Sequence, residues 1–333
     1  MKRRTFLSAS LAGVGAAVLT KGAKAQTATP RQNATAENIE PGNPFKTEGN
    51  WYKAALHVHT TTSDGDVDVA TRIKQYRDAG FDVVAITDHW KTNDISGYSD
   101  DKFVAISGME MHPKTGTGAP GHHFVTLDLP HPLVLDRKQP AQEMINTIKS
   151  HGGMVIYAHP YWTAHSIIEM QEVEGYIAME VYNGLCEHNY SKGFNQSFAD
   201  QLFNRNRLVG LIATDDIHNS SLLGLGWTMI RAKNLDKASI MAALKKGDYY
   251  ASCGPVIEDF KVENNAASVK CSPAAEIRFH FNGTGGGNRH RAEKGQTRTT
   301  ATWKFSAKRI PKWVYCEVID AEGNHAWTNP IRL

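Results

Sequence analysis

Cysteine is scarce in this chain, four among 333 residues, and none of Cys186, Cys253, Cys271 and Cys316 stands in a Cys-x-x-Cys pair. That spacing argues against a zinc ribbon. A disulfide stays open to them in an oxidising compartment, and the sequence chooses no pairing. Long apolar runs are missing as well: beyond the first 25 residues no stretch is long enough to cross a bilayer. No Gly-x-Ser-x-Gly stretch occurs, so the nucleophile elbow of a serine hydrolase is absent. Nor does the body of the chain carry an excess of either charge. The formal +3 comes from Lys2, Arg3, Arg4, Lys21 and Lys24, without which 34 acidic side chains slightly outnumber the basic ones. The charge balance therefore gives no ground for a nucleic-acid partner, and none is expected. Hydrophobic residues at 41% and charged ones at 21% exclude a mostly disordered or fibrous chain. The length fits one domain of about 200–250 residues with a smaller companion.

The first residues read Met-Lys-Arg-Arg-Thr-Phe-Leu, then an apolar stretch from Leu11 to Leu19, then Ala23-Lys24-Ala25. A positive start, a short apolar run and a small-x-small site make a secretory leader. Arg3-Arg4 followed by Phe6-Leu7 resembles the twin-arginine export signal of bacteria. Residues 1–25 are therefore expected to be removed after Ala25, leaving a periplasmic or secreted protein without a membrane span. Residues 26–50, rich in Thr, Ala, Asn, Pro and Gly, read as a linker.

From 51 to 250, short apolar runs alternate with amphipathic stretches. Strands are expected at Ala54–Val58, Val83–Thr87, Val104–Ser107, Phe124–Leu129, Met154–Ala158, Ala178–Tyr182 and Val209–Ala213. Helical spacing covers Val69–Ala79, ending at Gly80, and recurs near 139–151, 195–206 and 236–246. Such alternation predicts parallel βα units and an α/β fold, a distorted barrel with its chemistry at the C-terminal strand ends. From 255 to 333 the helices stop. Val256–Val262, Ala275–Phe281, Thr299–Ser306, Val314–Ile319 and Ala326–Leu333 read as strands split by turns such as Asn282-Gly283 and Glu322-Gly323, a small all-β sandwich.

The strand ends carry the reactive residues. His57, His59 and Asp64 follow the first strand, Asp88 and His89 the second, and Glu110 the third. His122 and His123 open the fourth, His159 follows the fifth, Glu180 lies in the sixth, and Asp215, Asp216 and His218 follow the seventh. Twelve of the 15 histidines fall between 57 and 218. Histidines at i and i+2 of a strand project to one side and can share an ion. Carboxylates beside them neutralise the cation, and one can bridge two ions about 3.5–4 Å apart. A lone strand histidine is usually a hydrogen-bonded core residue, but this many polar groups at successive strand ends would be costly to bury without metal.

The ordered motifs His57-Val58-His59, Ser63-Asp64-Gly65, Thr87-Asp88-His89, Gly108-Met109-Glu110, Ala158-His159-Pro160 and Asp216-Ile217-His218 resemble those of the PHP (polymerase and histidinol phosphatase) superfamily. The resemblance covers about residues 51–250. It implies a distorted (β/α)7 barrel, two or three divalent ions of zinc, manganese or iron, and phosphoester hydrolysis of a small molecule. Carried over by position, it implies a first ion at His57, His59, Glu110 and Asp216. Glu110 would bridge to a second at His123 and His159, and a third would sit at Asp64, His89 and His218. His123 is preferred to His122 because Phe124-Val125-Thr126-Leu127 follows it directly. Asp215 stands where the family often has Ser.

The resemblance further implies that metal-bound water attacks phosphorus, with Lys91 and Arg231 as candidate phosphate contacts. Asp88 would orient a histidine ligand, and Glu180 and Asn183 would do the same or face the substrate. Trp90, Tyr161 and Trp162 are candidates for an apolar wall. Tyr250-Ala251-Ser252-Cys253-Gly254-Pro255 and Ala326-Trp327-Thr328-Asn329-Pro330-Ile331 resemble stretches of superfamily proteins that carry an appended β-domain. Two other readings stay open. The same ligands could cleave a non-phosphate ester, lactone or amide, or a binding protein could merely retain metal. The sequence leaves the oligomeric state open.

Overall fold

The computed structural model describes residues 40–283, 288–306 and 308–333. The expected leader over 1–25, and the expected linker up to residue 39, lie outside the described residues. Residues 40–49 are docked: Pro44–Lys46 form one 3-10 turn, Asn43 donates to the Phe260 carbonyl, and Phe45 packs on Trp51 and Tyr250.

Strand β1 (Asn50–Ala55) starts the first βα unit. Asp68 caps α1 (Val69–Asp78) by accepting from the Thr71 amide, Ile73 and Tyr76 bury its apolar side, and Gly80 at φ +75° turns the chain out. β2 (Val83–Ile86), β3 (Val104–Met111) and β4 (Phe124–Leu127) follow. Then come α2 (Ala141–Ser150), β5 (Met154–Tyr157), the short α3 (Ile167–Gln171) and β6 (Ala178–Asn183). Next are α4 (Gly184–Tyr190), α5 (Gln196–Asn204) and β7 (Gly210–Thr214), then β8 (Trp227–Ala232), α6 (Lys237–Lys246) and β9 (Tyr249–Ser252). The C-terminal strands are β10 (Ile257–Glu263), β11 (Ala266–Ala274), β12 (Glu276–Phe281) and β13 (Arg289–Arg291). They continue with β14 (Arg298–Lys304), β15 (Trp313–Ile319), β16 (His325–Trp327) and β17 (Ile331–Arg332).

The expected closed barrel is not formed. The strands make one 14-stranded sheet in the order β13-β12-β15-β16-β9-β8-β1-β2-β3-β4-β5-β6-β7, with β17 on β15. Pairing is parallel for β1-β2-β3 and β5-β6-β7, but β4 runs antiparallel to both neighbours. Residues 112–123 contain no helix, and a parallel crossover of that length needs one, so the chain reverses instead. β8 is likewise antiparallel to β1. Even so, the sheet curls. Ala54, Val83, Val104, Val125, Ile156, Ala178 and Ile212 share one apolar cluster, which Ile240 and Leu244 of α6 join. No ladder joins β7 to β8. Thr228 Oγ1 instead donates to the Ala213 carbonyl at 2.9 Å, and a single bridge pairs Val58 with Ile217.

The C-terminal strands do not stand apart. β10, β11 and β14 form a second, three-stranded sheet. It packs Phe260, Val269 and Trp303 against Ile277, Phe279, Val314 and Cys316 of the main sheet, giving the expected sandwich layering. The main sheet itself runs on through β9, where Ala251 and Ser252 pair with Trp327 and Ala326. The two stretches that resemble parts of superfamily proteins are thus partners in one ladder. Trp327 shares its core cluster with Met179, Tyr182 and Leu211.

Trp327→Ala therefore lowers stability by about 3–5 kcal/mol, the usual cost of emptying a buried aromatic site. Denaturant unfolding followed by both tryptophan fluorescence and far-UV circular dichroism is expected to stay one coincident transition. Two resolved transitions, with only the later residues affected, would show that the β region folds on its own.

Candidate metal centre

The site forms where the strand ends converge. His57 and His59 leave β1 with their ring centroids 5.0 Å apart. Arg72 of α1, fully buried, donates from Nε to the His59 carbonyl at 3.0 Å, from Nη2 to Asp66 and from Nη1 to Gln75. Gly65 allows the Asp64 turn to fold back, since a Cβ there would lie 2.6 Å from the His59 carbonyl. Trp90, His159 and Asp216 have φ of 60°, 23° and 53° at the ends of β2, β5 and β7. Left-handed backbone at three non-glycine residues stores about 1–3 kcal/mol each, a pattern found where side chains must be aimed.

The nine residues expected as ligands come together. Glu110, 1% exposed, is the hub. Its Oε1 lies 2.7 Å from His123 Nδ1 and 3.3 Å from His159 Nε2. Its Oε2 lies 3.0 Å from His89 Nδ1, 3.2 Å from His57 Nε2 and 3.4 Å from His59 Nε2. Asp216 Oδ1 is 3.2 Å from both His57 Nε2 and His59 Nε2. Asp64 Oδ2 is 3.3 Å from His89 Nε2 and from His218 Nε2. Donors about 2.0–2.2 Å from one tetrahedral ion stand about 3.4 Å apart, which matches most of these spacings. Among the described residues, His57-His59-Asp216, His57-Glu110-His159 and His59-Asp64-His89-His218 each gather their donors within 4.8 Å.

Burial supplies the test of fit. His59 Nε2, His89 Nδ1 and Asp216 Oδ1 are buried without a hydrogen-bond partner. Each such atom costs about 1–3 kcal/mol if nothing binds it. Divalent ions would satisfy the ring nitrogens and the carboxylate that face this centre. Protonation also suits ligation, which needs neutral imidazole and ionised carboxylate. Burial pushes His59 and His123 down to about 4. Burial works against the ionised form of Glu110, yet His57 and His123 outweigh it and hold the carboxyl well below its usual range. Asp216 is depressed in the same way, burial being overcome by His57, His59 and His218. Three rings run the other way: burial opposes the charge of His57, His89 and His159, but Asp216, Glu110 and Glu180 raise His57 well above the ordinary value, Glu110 and Asp64 raise His89, and Glu110 and Glu180 raise His159, a bias that bound cations would reverse.

The supporting residues fall differently from expectation in several places. Glu180 is buried and accepts from His57 Nδ1 at 2.7 Å and from the His159 amide at 2.9 Å, so it fixes the His57 ring with Nε2 facing the centre. Asn183 ties Glu180 to Asp216 with bonds of 2.8 and 3.0 Å from one amide nitrogen. Asp88 orients no histidine. It accepts from Thr60, Ser63 and Asn93, and so braces the turn that carries Asp64. Asp215 also stands off, accepting from Tyr76 Oη and the Gly224 amide, and burial pushes it up to about 7. His122 turns away to Tyr157 and Glu172 and faces a separate hollow of about 630 Å³. Cys186 and the other three cysteines are unpaired.

The cavity over the centre measures about 490 Å³. Trp162 lines it, with Leu185, Asn189 and Tyr190 of α4. No Lys or Arg does so among the described residues. Lys91 is exposed and donates to the Thr62 carbonyl. Arg231 on β8 donates to the Thr47 carbonyl and lies over Trp51, so it is no phosphate contact at this cavity. Tyr161 packs toward Phe198, and Trp90 lies behind His112. His112 itself escaped the sequence reading. It follows Glu110 by two residues, just past the end of β3, and the i, i+2 rule applied to His57 and His59 would have found it.

No protein-family model matches the chain, and no curated protein matches it. Among solved structures it is similar to a two-domain protein from Bacteroides vulgatus containing a predicted PHP-like metal-dependent phosphoesterase. There the identity is 15% and the TM-score 0.49, with 87% of this chain and 99% of that one covered. It is also similar to an amidohydrolase from Chromobacterium violaceum, at 16% identity and TM-score 0.38, covering 50% and 87%. A third is the lesion-specific endonuclease EndoQ from Pyrococcus furiosus, at 14% identity and TM-score 0.41, covering 59% and 56%. The first carries the name of the superfamily that the motif series resembles.

Glu180→Gln keeps the shape of the residue but leaves one oxygen where His57 and the His159 amide each need one. Zinc affinity, measured by competition with a chromophoric chelator, is expected to fall about 10–100-fold. An affinity equal to the parent's would show that Glu180 does not orient His57 for a metal.

Proposed function

We propose that this chain is a metal-dependent hydrolase of the PHP superfamily, acting on a small phosphoester outside the cytoplasm after twin-arginine export. One observation carries the proposal: the unpartnered, buried donor atoms of His59, His89 and Asp216 face each other around Glu110 within coordination spacing. His57, His59, Glu110 and Asp216 would hold a first ion, Glu110, His123 and His159 a second, and Asp64, His89 and His218 a third. Such ions supply Lewis-acid activation of water and neutralise charge on a phosphoryl group.

The chain's own residues do the rest. Glu180 and Asn183 keep the His57 ring and the Asp216 carboxylate aimed inward. Asp88 and Arg72 fix the backbone that presents His59 and Asp64. Trp162 and Leu185 exclude water from one side of the cavity, and Asn189 and Tyr190 offer neutral polar groups to the part of the substrate that does not react. The cavity suits a substrate with a compact apolar or sugar-like group rather than a polymer held by a basic groove.

A second reading keeps the metal centre and changes the bond to a neutral ester, lactone or amide. The absence of Lys and Arg among the described lining residues favours it, since an anion finds no cationic side chain there.

The zinc- or manganese-loaded chain is expected to hydrolyse generic phosphomonoesters or phosphodiesters and to lose activity in a chelator. His159→Ala is expected to lower kcat at least about a hundredfold while the fold persists. Turnover of lactones or carboxylic esters with none of any phosphoester would select the second reading, and no turnover of any of them would reject a hydrolase.

A further inference from the structure

His112 lies two residues beyond Glu110, just past the end of β3, and its ring stands at the side of the metal centre, against His89 and Glu110. It stacks on His123 at 4.0 Å between ring centroids and 20° between planes, and it meets His89 edge-on at 4.5 Å. Trp90 closes on it from another side at 5.8 Å, with the Arg137 guanidinium over that indole. The ring is thus held between neighbours, and its Nε2 lies 3.5 Å from Glu110 Oε1. That nitrogen is buried and has no hydrogen-bond partner. Packing alone does not account for it. A phenylalanine would stack on His123 equally well and would leave no buried polar atom unsatisfied.

We propose that His112 is a further metal ligand, giving its Nε2 to the ion at Glu110 Oε1 alongside His123 and His159. The inference rests on the metal-centre reading above and extends its ligand set. That ion would then take three imidazoles and one carboxylate oxygen. An added neutral nitrogen strengthens the hold on the ion without changing the charge of the site. It also shifts preference toward zinc or iron and away from the oxygen-seeking manganese and magnesium. Four protein ligands would then hold this ion, as many as hold the first. His89 Nδ1, unpartnered on the other oxygen of Glu110, stands close enough to belong to the same gathering of donors.

The test uses the full chain carrying His112→Phe, which keeps the stack, and separately His112→Gln, which keeps polarity. Ions per chain after gel filtration, chelator competition and the visible spectrum of the Co²⁺-loaded protein are read for each. Both variants are expected to hold one ion at least about tenfold more weakly and to show an altered Co²⁺ band, while unfolding in excess chelator matches the parent. Equal stoichiometry, affinity and spectrum would overturn the inference and leave the hydrolase reading standing. A parent chain that binds no ion would overturn both.

Discussion

A buried carboxylate sets the terms for this molecule. Glu110 is almost fully shielded from water and has six imidazoles within 3.5 Å, those of His57, His59, His89, His112, His123 and His159. An ionised group in such a place is tolerated only when opposite charge and directed contacts surround it. Much of the architecture supplies those contacts. β3 delivers Glu110, and its neighbours on either side deliver histidines at their ends. Since β4 reverses direction, His123 enters from the start of a strand while His59, His89 and His159 come from ends. The apolar cluster beneath, closed by α6, keeps the strand ends in register.

The surrounding polar residues form layers that each restrain the next. Glu180 fixes His57, Asn183 couples Glu180 to Asp216, and the same Asn183 caps α4 by accepting from the Cys186 amide. α4 in turn supplies Leu185, Asn189 and Tyr190 to the cavity wall. A change in the wall therefore reaches the ligands through one amide side chain. This route is a physical path of contacts, and it joins the cavity wall and the Glu110 centre in one arrangement.

Much of this was legible in the sequence because period and punctuation are local. Asp68 and Gly80 bracket α1, and the apolar runs at Val83, Phe124, Met154 and Ala178 became strands within a residue or two. What was not legible depends on distant pairing. Whether β7 meets β8 through a ladder or through the Thr228 hydroxyl leaves no mark in either segment, so a closed barrel was expected where a curled open sheet is found. β8 itself was missed, because its Met229 and Arg231 alternate with buried residues and give no apolar run. The C-terminal region was read as β, but β11 and β13 were not among the expected strands, and nothing local reveals that β16 continues the main sheet through β9.

In the candidate site, residue type and strand-end position marked the reactive residues, the resemblance supplied the nine proposed ligands, and the structure brings those nine together while His122 turns away. Roles that depend on side-chain direction were harder. Asp88 braces a turn and Arg231 points to Thr47, outcomes fixed by neighbours far along the chain. The most direct test of the account is anomalous diffraction from crystals of the metal-loaded protein. Two or three peaks per chain are expected, one of them within about 2.0–2.2 Å of both Glu110 and Asp216 oxygens. Density at Glu110 explained by water alone, with no anomalous peak, would contradict it.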